Sequence, residues 1–194
     1  MAETDPLERI TWRGWDGVDR KTAAALSVAE RRLGYEMDIV QGPYNASVGA
    51  SAGTHDGGGV VDLSPFDHER KVKVLRDLGF AAWYRPAVPK LWGAHVHAVM
   101  EGHQDLAPAA KRQVQAFDMR RDGLAGNAMD PNKYHPNVEP FNYAAWLGDA
   151  ARREKITGIN AKRKRLLDKI AAAKAKRERL KIQADKARDR IRYR

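Results

Sequence analysis

Between residues 51 and 62 the chain reads Ser-Ala-Gly-Thr-His-Asp-Gly-Gly-Gly-Val-Val-Asp. His55 sits in a glycine-rich turn, and Asp62 follows it inside an apolar run. An aspartate between Val61 and Leu63 has the pattern of a strand residue pointing away from its apolar neighbours. An inward carboxylate needs a cation or hydrogen-bond donors. The glycines at 57–59 let the backbone fold back sharply, which can bring His55 toward Asp62. A second constellation, His95-Val-His97, lies in the strand-like run from Trp92 to Met100. Residues i and i+2 of a strand share a face, so both imidazoles point one way while Val96 and Ala98 point the other. Two imidazoles suit a packed core poorly. They suit a site where one binds a metal and the other stands beside it or moves protons. The competing reading of 51–62 is a glycine-rich hairpin with a solvated His55 and a capping Asp62.

With no cysteine in the chain, thiolate metal sites, disulfide scaffolds and thiol nucleophiles are excluded. A donor set of the His, Asp, His kind with one position left to water defines a catalytic zinc site rather than a structural one. Imidazole favours Zn²⁺ over Mg²⁺, which prefers oxygen ligands and retained waters. Zinc brings the pKa of a bound water to about 7 and polarises carbonyl oxygens, the requirement for amide hydrolysis near neutral pH.

The run His55-Asp-Gly-Gly58-Gly-Val60-Val-Asp62 resembles the His-x-x-Gly-x-Ala-x-Asp motif of the VanY-type zinc D-Ala-D-Ala carboxypeptidases and L-Ala-D-Glu endopeptidases. His95-Val-His97 is similar to the His-x-His element that supplies that family's third ligand. The resemblance spans roughly residues 36–120. THDGGGVVDL followed by HVHAV also resembles cell-wall peptidase domains carried by bacteriophages of actinobacteria. It implies the hedgehog/DD-peptidase fold, zinc held by His55, Asp62 and His97, and His95 beside the water and substrate. The implied activity is hydrolysis of an amide bond in peptidoglycan stem peptides. Two departures shape the expectation. Leu91 to Ala94 lacks the carboxylate that many members use as general base, which leaves His95 as catalytic acid and base. Gln41-Gly-Pro-Tyr44 stands where the family has its substrate-positioning arginine, which favours an endopeptidase over a carboxypeptidase. Gln41, Tyr44, Ser51 and Trp92 are the candidates for substrate contact. The alternative function is a non-catalytic virion component or cell-wall-binding protein that keeps the fold.

Several elements must position these residues. A stripe of Val18, Thr22, Leu26, Ala29 and Leu33 predicts a helix over 18–34, ended by Gly34. Strands are expected at Met37–Val40, Val60–Leu63, Phe80–Tyr84 and His95–Met100, with helices over 66–79 and 106–120 and a surface loop over 121–140. Helix, strand, strand, helix, strand, strand, helix reads as an α+β domain with a mainly antiparallel sheet and flanking helices. The expected boundary puts this domain at 1–145 and a basic, coiled-coil-like helix at 146–194. Ser51 and Thr54 read as turn residues, Asp56 as a turn residue or one that supports a ligand from behind, and His68, His103 and His135 as surface residues. Trp12, Trp15, Trp83 and Trp92 read as core or as the lining of a glycan groove.

The charge is unevenly spread. Residues 151–194 hold 18 Lys and Arg against 5 Asp and Glu, while 1–150 hold 17 against 20. The high pI therefore belongs to the tail. From Ile159 the apolar positions Leu166, Ile170, Ala173, Leu180, Ala184, Ala187 and Ile191 step mostly by three and four, with Arg163 and Arg177 in two of the slots. This predicts one helix of roughly 30 residues with a thin seam. It suits a solvated rod, attraction to an anionic polymer, or docking to a partner helix. No zipper-quality seam follows a basic region, so sequence-specific DNA binding is not expected. No apolar run reaches the roughly 18–20 residues of a membrane span. The start of the chain lacks a secretory signal, so the expected location is the host cytoplasm before release to the wall, or a virion.

Overall fold

The computed structural model describes residues 4–192, and of residues 182 and 184–192 it describes the backbone alone. A first compact unit ends at Tyr143 and a second begins at Ala144. The first is α+β. A hairpin, β1 (Arg9–Trp12) and β2 (Trp15–Asp19), leads into α1 (Arg20–Leu33). A four-stranded antiparallel sheet follows in the order β3-β4-β6-β5, built from β3 (Ile39–Gln41), β4 (Val60–Leu63), β5 (Phe80–Arg85) and β6 (His95–Met100). Helices α2 (His68–Arg76) and α3 (Pro108–Asp118) complete the unit.

Asp19 caps α1, accepting from the Thr22 backbone N–H at 2.8 Å and from its hydroxyl at 2.7 Å. That bond explains the one polar residue in the helix's apolar stripe. The sheet then sorts side chains by parity. Val61, Leu63, Phe80, Ala82, Val96, Ala98 and Met100 face α1 and α2 in the main core. On the other face Val60, Ala81 and Val99 pack with Leu106, Ala110 and Phe117. Along that second face the strands change from apolar to polar: Val60 gives way to Asp62, Ala81 to Trp83 and Arg85, and Val99 to His97 and His95. One sheet face is thus half core and half site.

Several expected boundaries move. The hairpin is an addition to the expected elements; its two-residue turn is Arg13-Gly14, with φ of 51° and 77°. The strand expected at Met37–Val40 begins at Ile39, because Met37 is a core side chain that leaves the helix end. The helix expected over 66–79 is only His68–Arg76, with Phe66 exposed before it. Residues 121–140 do form a loop, anchored from within. Arg76, 1 % exposed, donates to Asp130 at 2.6 Å and to the Tyr134 carbonyl at 2.5 Å.

The second unit is formed by α4 (Tyr143–Arg192) from Ala144 onward, a helix that starts well before Ile159 and carries Gly148 and Gly158 inside it. A glycine in an exposed helix costs about 1 kcal/mol, too little to stop a run of alanine, lysine, arginine and leucine. The seam positions Ala184, Ala187 and Ile191 have side chains outside the described residues. Among the described residues no helix is long and apolar enough to cross a membrane.

Candidate functional site

Asp62 and His97 are directly opposite each other on β4 and β6, so their side chains emerge side by side on one sheet face. His97 Nδ1 lies 2.6 Å from Asp62 Oδ1. The register of β5 against β6 places Trp83 opposite His97 and Arg85 opposite His95. His55 arrives from the loop before β4. Backbone bonds from Tyr44 to the Gly57 carbonyl and from Asn45 to the His55 carbonyl, at 3.0 and 2.8 Å, hold that loop in place. The His55 ring is buried, and its Nε2 is 3.4 Å from Asp62 Oδ1.

The tautomers follow from the partners. His55 Nδ1 is 3.0 Å from the Gly42 carbonyl; a carbonyl only accepts, so Nδ1 carries a hydrogen and Nε2 is the nitrogen aimed at Asp62. His97 Nε2 lies 2.8 Å from Gln113 Oε1, while Gln113 Nε2 donates to the Gly123 carbonyl at 3.3 Å. Gly123 fixes the amide orientation, so Gln113 Oε1 accepts from His97 Nε2–H while Asp62 Oδ1 is an acceptor for Nδ1–H; a metal between Nδ1 and Asp62 leaves the hydrogen on Nε2. His95 Nδ1 donates to the Gly93 carbonyl at 2.7 Å, which leaves its Nε2 3.7 Å from Asp62 Oδ1. Three imidazoles therefore surround one carboxylate oxygen, each oriented by a partner on its far side, as ligating histidines usually are. Burial pushes the Asp62 carboxyl up, but His97 and His55 outweigh it and hold the group well below the usual carboxylate range. Burial also lowers the His97 imidazole, against the pull of Asp62. An ionised aspartate and neutral imidazoles are the states that bind metals. One ligand atom each from His55, Asp62 and His97 lies within 4.8 Å of the others, and the group could hold a metal ion.

These residues line a cleft of about 260 Å³ with Gln41, Ser51, Trp92, His95 and Arg85. Gln41 and Ser51 are paired, with the Gln41 amide nitrogen 2.7 Å from the Ser51 hydroxyl. Thr54 has the expected turn role, its hydroxyl donating to the Ser51 carbonyl at 2.8 Å. Trp92 forms a wall, edge-on to His95 with ring centroids 6.5 Å apart. Tyr44 does not join them. Its ring lies beneath the Arg9 guanidinium at 3.6 Å and its hydroxyl packs at Gly58 and Asp105, because the backbone there takes a positive φ and turns the side chain away.

Two cleft residues escaped the sequence. Arg85 ends β5 one residue beyond the expected strand, and the alternation Ala81, Trp83, Arg85 puts it on the face of His95 and His97. Its guanidinium donates to the Asp122 carbonyl and lies 4.9 Å from the Trp83 ring centroid. Burial brings its pKa down to about 10, with Asp122, Asp130 and Asp62 opposing, so it stays cationic at neutral pH. Gln113 comes from α3, and no local spacing links it to His97.

The histidines expected at the surface are engaged. His103 is buried, with Nδ1 accepting from the Asp105 N–H at 3.2 Å and Nε2 facing Asp19 Oδ1 at 3.1 Å. His135 bonds Asp130 at 3.0 Å and stacks on Phe117. His68, half-buried, stacks on Tyr84 at 3.9 Å. Each is set by a group on another part of the chain: Asp19 for His103, Phe117 for His135 and Tyr84 for His68. Among the four tryptophans named, only Trp92 lines the cleft. Trp83 is core, Trp12 bonds Ser27, and Trp15 packs on Gly42. The glycine run serves close approach as much as folding back. A Cβ on Gly57 would lie 2.2 Å from the Asp105 carbonyl oxygen, and one on Gly59 would lie 2.7 Å from the His103 ring. No family model, curated protein or solved structure matches this chain.

Proposed function

We propose that the protein is a zinc-dependent peptidoglycan peptidase of the VanY-like kind, acting on an amide bond of cell-wall stem peptides. One observation carries this reading: His55 Nε2, Asp62 Oδ1 and His97 Nδ1 converge at one end of a cleft, with His95 Nε2 beside them. The donor set is two imidazoles and one carboxylate with orienting partners in place, which fits zinc better than magnesium or calcium. A zinc ion held there would supply Lewis acidity and bring a water in its open position to a pKa of about 7. The motif resemblance over 55–62 and 95–97 supports the same assignment.

The chain's own groups divide the remaining work. The Gly93 carbonyl takes the His95 Nδ1–H, which leaves Nε2 as the nitrogen that faces the cleft. It accepts a proton as the nucleophilic water attacks and returns it to the leaving amine. Trp92 bounds the substrate channel, and the Gln41–Ser51 pair offers hydrogen bonds to the peptide backbone. Arg85 restores a fixed positive charge to the cleft. With it present, the lack of an arginine at 41–44 no longer favours an internal bond over a terminal one. A phage-borne enzyme would reach the wall on host lysis or from the virion.

The second reading, a non-catalytic wall-binding or virion protein, is favoured by one feature: Asp62 is the one carboxylate among the residues lining the cleft. Both readings meet in one assay. Protein stripped by a chelator and reloaded with about one zinc per chain is incubated with purified walls, and the released muropeptides are examined by mass spectrometry. The peptidase predicts new amine ends that vanish in Asp62→Asn and fall at least 100-fold in His95→Ala. Walls that are bound but uncut by zinc-loaded protein would establish the binding module instead.

A further inference from the structure

Helix α4 carries a charge pattern that the cleft chemistry does not use. Counted in heptads from Ile156 at position a, the a and d positions hold Ile156, Ile159, Leu166, Ile170, Ala173 and Leu180. The five larger of these are between 46 % and 61 % exposed. Arg163 and Arg177 fill the two remaining a positions in this stretch. The g flank is basic throughout, with Lys155, Lys162, Lys169 and Lys176, while the e flank holds Asn160 and Leu167 and then turns basic at Lys174 and Lys181. The acids between 154 and 181, namely Glu154, Asp168 and Glu178, fall at f, f and b, away from the seam.

The sorting decides between partners. In a parallel pair of identical helices, Lys169 would meet Lys174 of the second copy and Lys176 would meet Lys181, while arginine would face arginine inside the seam. An antiparallel pair sets g against g, lysine against lysine along the whole flank. Self-pairing is opposed in either direction. A bare polyanion such as nucleic acid would also favour an acid-free face, but it has no use for an exposed Ile/Leu seam. A complementary helix explains both.

We propose that α4 is a docking rod for a second protein that presents an acidic amphipathic helix, with aliphatic residues on its seam and Glu or Asp along both flanks. Arg163 and Arg177 add register. They sit two heptads apart, about 21 Å along the axis, and an arginine in a seam is tolerated when a carboxylate meets it. The partner therefore carries acids at two matching seam positions with the same separation. This assignment stands apart from the cleft's activity.

The test uses the full chain and three fluorescent probes at physiological salt. The first is a 35-residue peptide with Ile/Leu seams, Glu flanks and two seam Glu residues two heptads apart. The others are poly-L-glutamate of equal charge and a short DNA duplex. The acidic heptad peptide should bind at least tenfold more tightly than either. Leu166→Ser with Ile170→Ser should cost that peptide at least tenfold and leave the other two probes within twofold. Lys169→Glu with Lys176→Glu should weaken the peptide and make the chain self-associate in sedimentation velocity, because glutamates then face Lys174 and Lys181 of a second copy. Equal binding of polyglutamate or DNA, untouched by the seam substitutions, would overturn the proposal. So would self-association of the unsubstituted chain that Leu166→Ser with Ile170→Ser abolishes.

Discussion

Replacing Gln113 by leucine removes the acceptor that holds His97 Nε2–H at 2.8 Å. Without a metal the ring can respond. It carries its hydrogen on Nδ1 and donates to Asp62 Oδ1, already 2.6 Å away, so no ring N–H is stranded; the 3.3 Å bond from Gln113 to the Gly123 carbonyl is lost equally with and without metal. With zinc on Nδ1 that escape is closed, and the Nε2–H is left unpaired in a buried ring. An orphaned buried donor costs about 1–3 kcal/mol, and here the whole penalty falls on the metal-bound state. The expected loss of zinc affinity is therefore about 10- to 100-fold, the range typical of outer partners of ligating histidines. Gln113→Glu keeps an acceptor and makes it anionic, so it should bind zinc at least as well as the unsubstituted protein. Competition titration of chelator-stripped protein against a fluorescent zinc indicator measures both variants. Urea denaturation of the stripped proteins supplies the second axis, where Gln113→Leu should stay within about 1 kcal/mol of the parent. An affinity within twofold of the parent, or a stability loss in stripped protein as large as the affinity loss, would refute the tautomer argument.

Three further outcomes follow from other parts of the first unit. Asp130→Ala strands the buried Arg76 guanidinium, which keeps its bonds to the Ala82 and Tyr134 carbonyls; the expected cost is about 3 kcal/mol in urea denaturation, at the low end for a broken buried pair. Gly57→Ala drives a Cβ to 2.2 Å from the Asp105 carbonyl oxygen and 2.7 Å from the Ala107 nitrogen. Neither backbone atom yields cheaply, so about 1–3 kcal/mol should be lost, whereas Gly49→Ala, with nothing within 4 Å, should be near neutral. Burial opposes ionisation of Asp19, but His103 and Thr22 outweigh it and hold its carboxyl below the ordinary value. Its contribution is thus present above the unfolded pKa of about 3.9 and disappears as pH falls through the lower folded value. Denaturant midpoints taken from pH 5 to 2 should show a steeper decline for the parent than for Asp19→Asn.

The central geometry was legible because strand parity is local. Asp62 between two core residues, and His95 and His97 around Val96, are placed by the pleat alone. The hairpin was legible in principle: Thr-Trp-Arg-Gly-Trp-Asp carries glycine in the second turn position between alternating residues, a two-residue turn signal. Arg85 was lost by ending its strand at Tyr84, since one more residue of alternation leads to the cleft. Gln113 and His103 are different. Each acquires its meaning from a partner on another element, His97 and Asp19, and no spacing in the chain announces such a meeting. Tyr44 failed for a backbone reason, its positive φ. The early start of α4 shows the limit of glycine as a stop signal where solvent surrounds a strong helix-forming run.

Two of the three donors come from hydrogen-bonded neighbours in a sheet, and the third comes from a loop. An ion captured by all three would act as a staple between the rigid and the irregular parts of the fold, coupling cargo to backbone order. Limited proteolysis should feel that clasp. Cuts within residues 45–53 should slow when zinc is added, while the sheet, already zipped by its own ladder, should look the same in either state.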